Sequence, residues 1–305
     1  MRAVFVDGDA ASAEIFRHQM KAGDLKVDIH LDPDVSPQEL PKLMGDAEIA
    51  IVDHTYLPTE VARRCAKLKH VVFLGTGARS YMSPEELADL GIAVHTIKGY
   101  GDTAVAECAF ALMWEAARGL ARMDREMRAG AWLRTEGMQL TGKTLGLIGF
   151  GGIAREVARL ASGVGMRVIA WNRTPRPADG VSFVDIDVLL RESHVVSLHL
   201  LLNDETRGFL SEARIGAMRR GAILINTARG ALVDEAAMIA ALKTARIRHA
   251  GLDVFAVEPL PDDNPLKTLR NVTLSAHSAF RTPEASINLM AAALDHCRRI
   301  VVEGA

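Results

Sequence analysis

Lys143-Thr-Leu-Gly-Leu-Ile-Gly149-Phe-Gly151-Gly152-Ile153-Ala154-Arg-Glu-Val-Ala158 decides the fold. An apolar run over Thr144–Ile148 reads as a strand, and it breaks into G-x-G-x-x-A before a segment of helical period. Each small residue answers a physical demand: a tight turn at Gly149, close approach of a pyrophosphate to the backbone at Gly151, and helix-on-strand packing at Ala154. The free amides of Gly152 and Ile153 then open the helix toward phosphate oxygens. A second apolar run, Arg167–Trp171, follows at the distance of a βαβ unit, so the segment is read as a dinucleotide-binding turn.

After that second strand an Asp or Glu would accept hydrogen bonds from the ribose 2′-hydroxyl of NAD. The chain has Asn172, Arg173 and Thr174 there, with Arg176 close by. A neutral amide beside guanidinium groups accepts a 2′-phosphate that a carboxylate would repel, which favours NADP and leaves NAD possible. The alternative is that Arg173 and Arg176 are ordinary loop charges.

Working outward, short Val/Ile/Leu runs alternate with Ala/Leu/Glu/Arg segments along the whole chain, the pattern of parallel α/β sheets. One series of strands is expected at Arg2–Val6, Lys26–Leu31, Ile49–Val52, His70–Leu74 and Ile92–His95. A second is expected at Thr144–Ile148, Arg167–Trp171, Val195–Leu198, Ala222–Asn226, Ala250–Leu252 and Val272–Leu274. Between them Thr103–Ala129 reads as helix, and its 102–114 part is apolar on nearly every face, which suits either burial within one subunit or a subunit interface. A final helical segment, Arg281–Val302, is long enough to pack back on the first unit. The expected architecture is α/β: two Rossmann-like, doubly wound parallel-sheet domains. A flavodoxin-like domain of residues 1–98 plus 280–305 is interrupted by a dinucleotide-binding domain of 99–279.

Composition agrees and excludes other classes. The 305 residues exceed the usual ~150 per domain. Lys+Arg 36 against Asp+Glu 38 leaves a net charge of −2, too little for bulk attraction to nucleic acid or an anionic membrane. Cys65, Cys108 and Cys297 are far apart and form no C-x-x-C pair, so they read as small hydrophobes in a reducing compartment, with no metal site expected. The start lacks signal-peptide features, and the longest apolar stretch is too short to span a bilayer, which makes a cytoplasmic protein the expectation.

Three further segments sit where such sheets present chemistry, at strand carboxyl ends. Ile223-Leu-Ile-Asn226-Thr-Ala-Arg229-Gly230 ends in an arginine. Ala250-Gly-Leu-Asp253-Val-Phe-Ala-Val-Glu258-Pro259 ends in acids, and Val272-Thr-Leu-Ser-Ala-His277 in a histidine. A guanidinium for a carboxylate, an imidazolium to protonate a forming alkoxide and a carboxylate to keep that imidazolium charged together suit hydride transfer to an oxo acid. His54 and His199 also fall near strand ends and remain possible cleft residues, whereas His18, His30, His70, His249 and His296 read as surface or packing residues.

These segments resemble the D-isomer-specific 2-hydroxyacid dehydrogenase family, through G-T-G at 75–77, G-Y-G-D-T-A-V-A-E at 99–107, the glycine loop, D-E-T at 204–206, N-T-A-R-G at 226–230, L-D-V-F…E-P-L at 252–260 and His277. The resemblance implies a glyoxylate/hydroxypyruvate reductase-like enzyme interconverting a small 2-oxo acid and its D-2-hydroxy acid. It implies a catalytic set of Arg229, Glu258 and His277, and substrate carboxylate binding by backbone amides of Gly75, Thr76 and Gly77 together with Arg229 and His277. Thr103 and Thr206 join the cofactor contacts, and Asp253, Thr227 and Ala228 fall at the nicotinamide. A homodimer is implied, built through the cofactor domain and the 102–129 helical segment. Departures from the family pattern fall around the pocket, at Arg79-Ser80, Leu200-Leu-Leu, Gly101 and Ser275-Ala276-His277, so the particular acid does not carry over. Phosphoglycerate and D-lactate types stay open as alternatives, as does a dinucleotide-sensing protein similar to the corepressors on this scaffold; a formate-type enzyme is a weaker rival.

Overall fold

The computed structural model describes residues 1–175 and 177–303. The chain divides into two compact units, Met1–Gly101 together with the chain from Arg281 onward, and Asp102–Phe280.

In the first unit the strands are β1 (Ala3–Phe5), β2 (Val27–Ile29), β3 (Ile49–Val52), β4 (His70–Phe73) and β5 (Ala93–Thr96), all parallel in the order β2-β1-β3-β4-β5. This is the flavodoxin-like order. Alternation along the strands sends two sets of apolar side chains to opposite faces. Phe5, Ile49, Ile51 and Val72 pack with Phe16 of α1 (Ala10–Gln19) and with Leu289, Ala293 and Cys297 of the last helix. Val4, Ala50, Val52, Val71 and Phe73 form the other core, with Leu40 and Met44 of α2 (Leu40–Met44), Val61 of α3 (Thr59–Ala62) and Leu87 of α4 (Pro84–Asp89).

The second unit opens with α5 (Asp102–Arg118) and α6 (Leu120–Arg128). The continuous helix expected over Thr103–Ala129 is therefore broken, because Gly119 takes a left-handed φ of 67° and restarts the chain in a new direction. Then follow β6 (Thr144–Ile148), α7 (Gly152–Gly163), β7 (Arg167–Trp171), β8 (Val181–Phe183), α8 (Ile186–Glu192), β9 (Val195–Leu198), α9 (Glu212–Ala217), β10 (Ala222–Asn226), α10 (Glu235–Lys243), β11 (Ile247–Leu252) and β12 (Val272–Leu274). All pair in parallel in the order β12-β11-β10-β9-β6-β7-β8. From β8 inward that is the doubly wound 3-2-1-4-5-6 order with one strand added, and it reverses between β6 and β9, where such sheets bind ligands. Helix α5 packs within this unit: Ala106, Ala109, Leu112, Met113, Ala116 and Ala117 are buried, and a Cβ on Gly251 of β11 would lie 2.9 Å from Leu112. Helix α6, by contrast, buries no residue. The chain ends in α11 (Pro283–Glu303), which belongs to the first unit.

Candidate functional site

At the end of β6, Gly149 adopts φ +89°, and a Cβ there would stand 2.6 Å from the His199 carbonyl oxygen at the end of β9. Only glycine permits that left-handed turn against a neighbouring backbone. A Cβ on Gly151 would meet nothing within 4 Å, so the chain leaves open space over the start of α7, whose first turn carries no capping side chain. Uncapped amides facing open space are what a pyrophosphate needs. One charge stands in the way. A Cβ at Gly152 would come within 1.7 Å of Asp102 Oδ2, so the half-buried carboxylate of Asp102 lies over the same helix start, and burial holds its pKa above the usual carboxylate range.

Beyond β7, the Asn172 amide closes its own turn, accepting from the Phe150 N–H at 3.3 Å and donating to the Thr174 carbonyl at 2.8 Å. Arg173 pairs with Glu205 at 2.7 Å on the open surface, both side chains more than 70% exposed. Arg176 lies outside the described residues.

Arg229, Glu258 and His277 come together. His277 Nδ1 lies 2.6 Å from Glu258 Oε2, and Glu258 Oε1 accepts from the Phe255 N–H at 2.8 Å. Burial opposes ionisation of Glu258. The His277 hydrogen bond, the Phe255 amide and the charges of His277 and Arg229 outweigh it and hold the carboxyl below its usual range. Gly230 places Arg229 here: a Cβ on Gly230 would stand 1.9 Å from the Phe255 carbonyl carbon, so the two backbones pass in contact. Asn226 fixes the loop between them, accepting from the Ala228 N–H at 3.0 Å and donating to the Arg229 carbonyl at 2.9 Å.

Asp253 holds the histidine. Its carboxylate is 1% exposed and accepts from Ser275 Oγ at 2.5 Å and from the amides of Ser278 and Ala279, both at 3.0 Å. Its carbonyl accepts from the His277 N–H at 2.8 Å, and His277 takes a left-handed φ of 47°. A non-glycine residue in that region persists only where its surroundings over-determine it. What the geometry gives Asp253 is thus a clamp on the His277 turn, not a free side chain. Thr227 buries a hydroxyl with no hydrogen-bond partner among the described residues. Thr206 donates to the Leu201 carbonyl at 2.7 Å inside its own turn, and Thr103 is exposed on α5. His199 bonds Ser197 Oγ at 2.9 Å, and burial lowers its pKa to about 4, so it is neutral near pH 7.

In the first unit Gly75 has φ +154°, and its N–H already donates to the Phe73 carbonyl at 2.8 Å. That corrects the expectation of three ligand amides, leaving those of Thr76 and Gly77, which have no backbone partner among the described residues. One feature escaped sequence reasoning. Buried Asp7 accepts from the amides of Asp53, His54 and Thr55 after β3, and His54, bonded to Asp53 and next to Asp7, has its pKa raised to about 9 despite partial burial. A single Asp at a strand end carries no sequence signal for such a cage. Among the described residues no group of His, Cys, Asp and Glu could hold a metal, and no helix is long and apolar enough to cross a membrane.

Residues 110–279 match the model of the D-isomer specific 2-hydroxyacid dehydrogenase NAD binding domain. The chain is 36% identical over 262 residues to a hydroxypyruvate reductase of Thermotoga maritima, covering 84% of each chain. It is 39% identical over 239 residues to a glyoxylate reductase of Thermococcus litoralis, covering 74% of this chain and 72% of the other. Among solved structures, an acyclic imino acid reductase in complex with NADPH and D-Arg superposes with a TM-score of 0.87 at 30% identity, over 99% of this chain and 98% of that one.

Proposed function

Because the chain belongs to the D-isomer-specific 2-hydroxyacid dehydrogenase family, oxidoreductases acting on CH–OH donors with a nicotinamide cofactor, we propose that it reduces a small 2-oxo acid to its D-2-hydroxy acid. Glyoxylate and hydroxypyruvate are the first candidates, as for the relatives above. The observation that carries this reading is the 2.6 Å contact of His277 with Glu258 beside Arg229.

The residues around β6 fit a dinucleotide, by the open space over Gly151 and the orphaned Thr227 hydroxyl. The bound cofactor supplies the hydride. Gly149, Gly151 and the amides of Gly152 and Ile153 hold its pyrophosphate, and Thr227 takes the nicotinamide end. Arg229 binds the substrate carboxylate and polarises the carbonyl; His277 donates its Nε2 proton to the oxygen that becomes the hydroxyl. Glu258 keeps that imidazole oriented, with its Nδ1 proton on the carboxylate side.

NADPH is preferred over NADH in this reading. No carboxylate follows β7, and an exposed pair such as Arg173–Glu205 contributes at most ~1 kcal/mol, so a 2′-phosphate displaces Glu205 at little cost. A homodimer through the second unit is supported by Leu120, Met127 and Trp132, which stand 57%, 53% and 75% exposed on and just after α6. The deciding experiment follows oxidation of NADPH and NADH against glyoxylate, hydroxypyruvate, pyruvate, phenylpyruvate and larger 2-oxo acids. Turnover of a small 2-oxo acid with a higher kcat/KM for NADPH is expected. Tight NADPH binding with no turnover of any acid would make the protein a dinucleotide sensor instead.

A further inference from the structure

Asp253 is 1% exposed and enters no ion pair among the described residues. A buried carboxylate without a counter-ion has to be held by hydrogen-bond donors. All three of its donors come from one short segment: the Ser275 hydroxyl at 2.5 Å and the Ser278 amide at 3.0 Å on Oδ1, and the Ala279 amide at 3.0 Å on Oδ2. They bracket His277, one from before it and two from after. The Asp253 backbone completes the enclosure, since its carbonyl accepts from the His277 N–H at 2.8 Å and its own N–H donates to the Asn226 carbonyl at 3.0 Å.

Holding Asp253 and bending the chain at His277 are therefore one event. The left-handed φ of 47° is disfavoured for a residue with a side chain, and straightening it would withdraw two amides from the buried carboxylate. Those amides move with the turn, so they cannot anchor it from outside. Ser275 can. Its own N–H donates to the Leu252 carbonyl at 2.9 Å and continues the β11–β12 pairing, so its hydroxyl holds Oδ1 from the sheet. It is the one side-chain donor that Asp253 has among the described residues. Cys108 of α5 stands beside both groups; burial and then the Asp253 charge raise its thiol to about 11, so it brings no second anion near neutrality.

We propose that Ser275 is a positioning residue for the proton donor: its hydroxyl fixes the Asp253 carboxylate, which fixes the His277 turn and with it the 2.6 Å approach of Nδ1 to Glu258. The role rests on the reading of His277 as proton donor given above. Ser275 acts through Asp253 and has no need to touch substrate or cofactor. Without the hydroxyl, Oδ1 keeps only the Ser278 amide, the carboxylate is freer to rotate, and the imidazole loses its fixed aim at Glu258.

Two measurements on the full chain test this. The first needs no turnover: NMR of the histidine-labelled protein without cofactor follows the proton between His277 Nδ1 and Glu258, assigned by its absence in His277→Gln. Ser275→Ala should move that resonance upfield and speed its exchange with water, and Ser275→Thr, which keeps the hydroxyl, should restore it. The second follows oxidation of NADPH by the 2-oxo acid turned over fastest. Ser275→Ala should lower kcat about tenfold, the worth of one hydrogen bond to a charged group, with the NADPH dissociation constant within a factor of about two. Ser275→Thr should recover most of the loss. The alkaline limb of the Ser275→Ala pH profile should move to lower pH, because a donor held less firmly by Glu258 gives up its proton sooner. A hydroxyl that served stability alone would lower Tm and leave the limb and the resonance in place, and that result overturns the positioning role. Wild-type kcat in Ser275→Ala beside a large fall in His277→Ala also overturns it and leaves the proton-donor reading standing. Near wild-type turnover in His277→Ala removes that reading and the positioning role with it.

Discussion

At the scale of single residues, the site separates groups that would act on the substrate from groups that aim them. His277 Nδ1 is committed to Glu258, which leaves Nε2 as the nitrogen that would donate the proton in the proposed reduction. General acid catalysis is worth roughly 10²–10⁴ in rate, so His277→Ala should lower kcat by that order while NADPH affinity, measured by fluorescence titration, stays within a factor of about two. Turnover close to wild type would remove His277 from the role. Asp102 works in the opposite sense. Its carboxylate lies over Gly152, where uncapped amides invite a pyrophosphate, and like charge at that distance opposes binding. Asp102→Asn keeps the shape and removes the charge, so NADPH should bind about five- to tenfold more tightly at pH 8, equivalent to ~1 kcal/mol. Because burial raises the Asp102 pKa, wild-type affinity should also increase as the pH falls toward it, and the variant should lose that trend. Equal dissociation constants for the two proteins at pH 8 would show that Asp102 swings clear.

Elements set these residues in place, and here the glycines decide. Gly230 lets the chain after β10 pass against Phe255 after β11, which brings Arg229 beside Glu258. A methyl group at 230 would meet backbone, which cannot rotate away, so Gly230→Ala should cost about 3 kcal/mol or more and lower kcat/KM through the displaced arginine. A stable variant with native kinetics would contradict that packing. Much of this was legible. Strands β6, β7, β9, β10 and β12 keep the limits expected from their apolar runs; β6, β9 and β10 do so because strands buried on both faces must be nearly continuously apolar. Arg229, Glu258 and His277 could be read because all three follow such strands. Strand β8 was missed: it is three residues at a sheet edge with none fully buried, too short to show a period. The break at Gly119 was written in the sequence but overruled by the helical composition on both sides of it. The Asp102–Gly152 approach and the loss of the Gly75 amide to Phe73 had no local signal, since each is set by backbone geometry or tertiary contact.

For the whole molecule, the histidines predict how stability responds to pH. Burial lowers the pKa of His70, His95 and His296 in the first unit and of His194, His199 and His249 in the second, the last two to about 4. Unfolded histidine titrates near 6.5, so below that pH the unfolded chain takes up protons that the folded chain refuses. The contribution of these groups is complete above pH 6.5 and is lost as the pH falls toward 4. His54 has the opposite sign. Its pKa of about 9 means a contribution complete below 6.5 and lost as the pH rises through 9, reduced by solvent screening because the ring is 43% exposed. Asp24, held at about 2 by Arg298, fades only below the usual carboxylate range and leaves the histidine window clear. Calorimetry should therefore show Tm greatest near pH 6.5–7. His249 alone accounts for a loss on the order of 3 kcal/mol by pH 4, or roughly 5–10 °C for a unit of this size. His249→Asn removes the titration while offering Thr273 a hydrogen bond, so its acid limb should be shallower than that of wild type although its Tm at pH 7 is lower. His54→Gln should flatten only the alkaline limb. A Tm that holds constant from pH 6.5 to 4.5 would mean that the folded chain admits protons to these rings without opening, and the buried-histidine account of its acid sensitivity would fall.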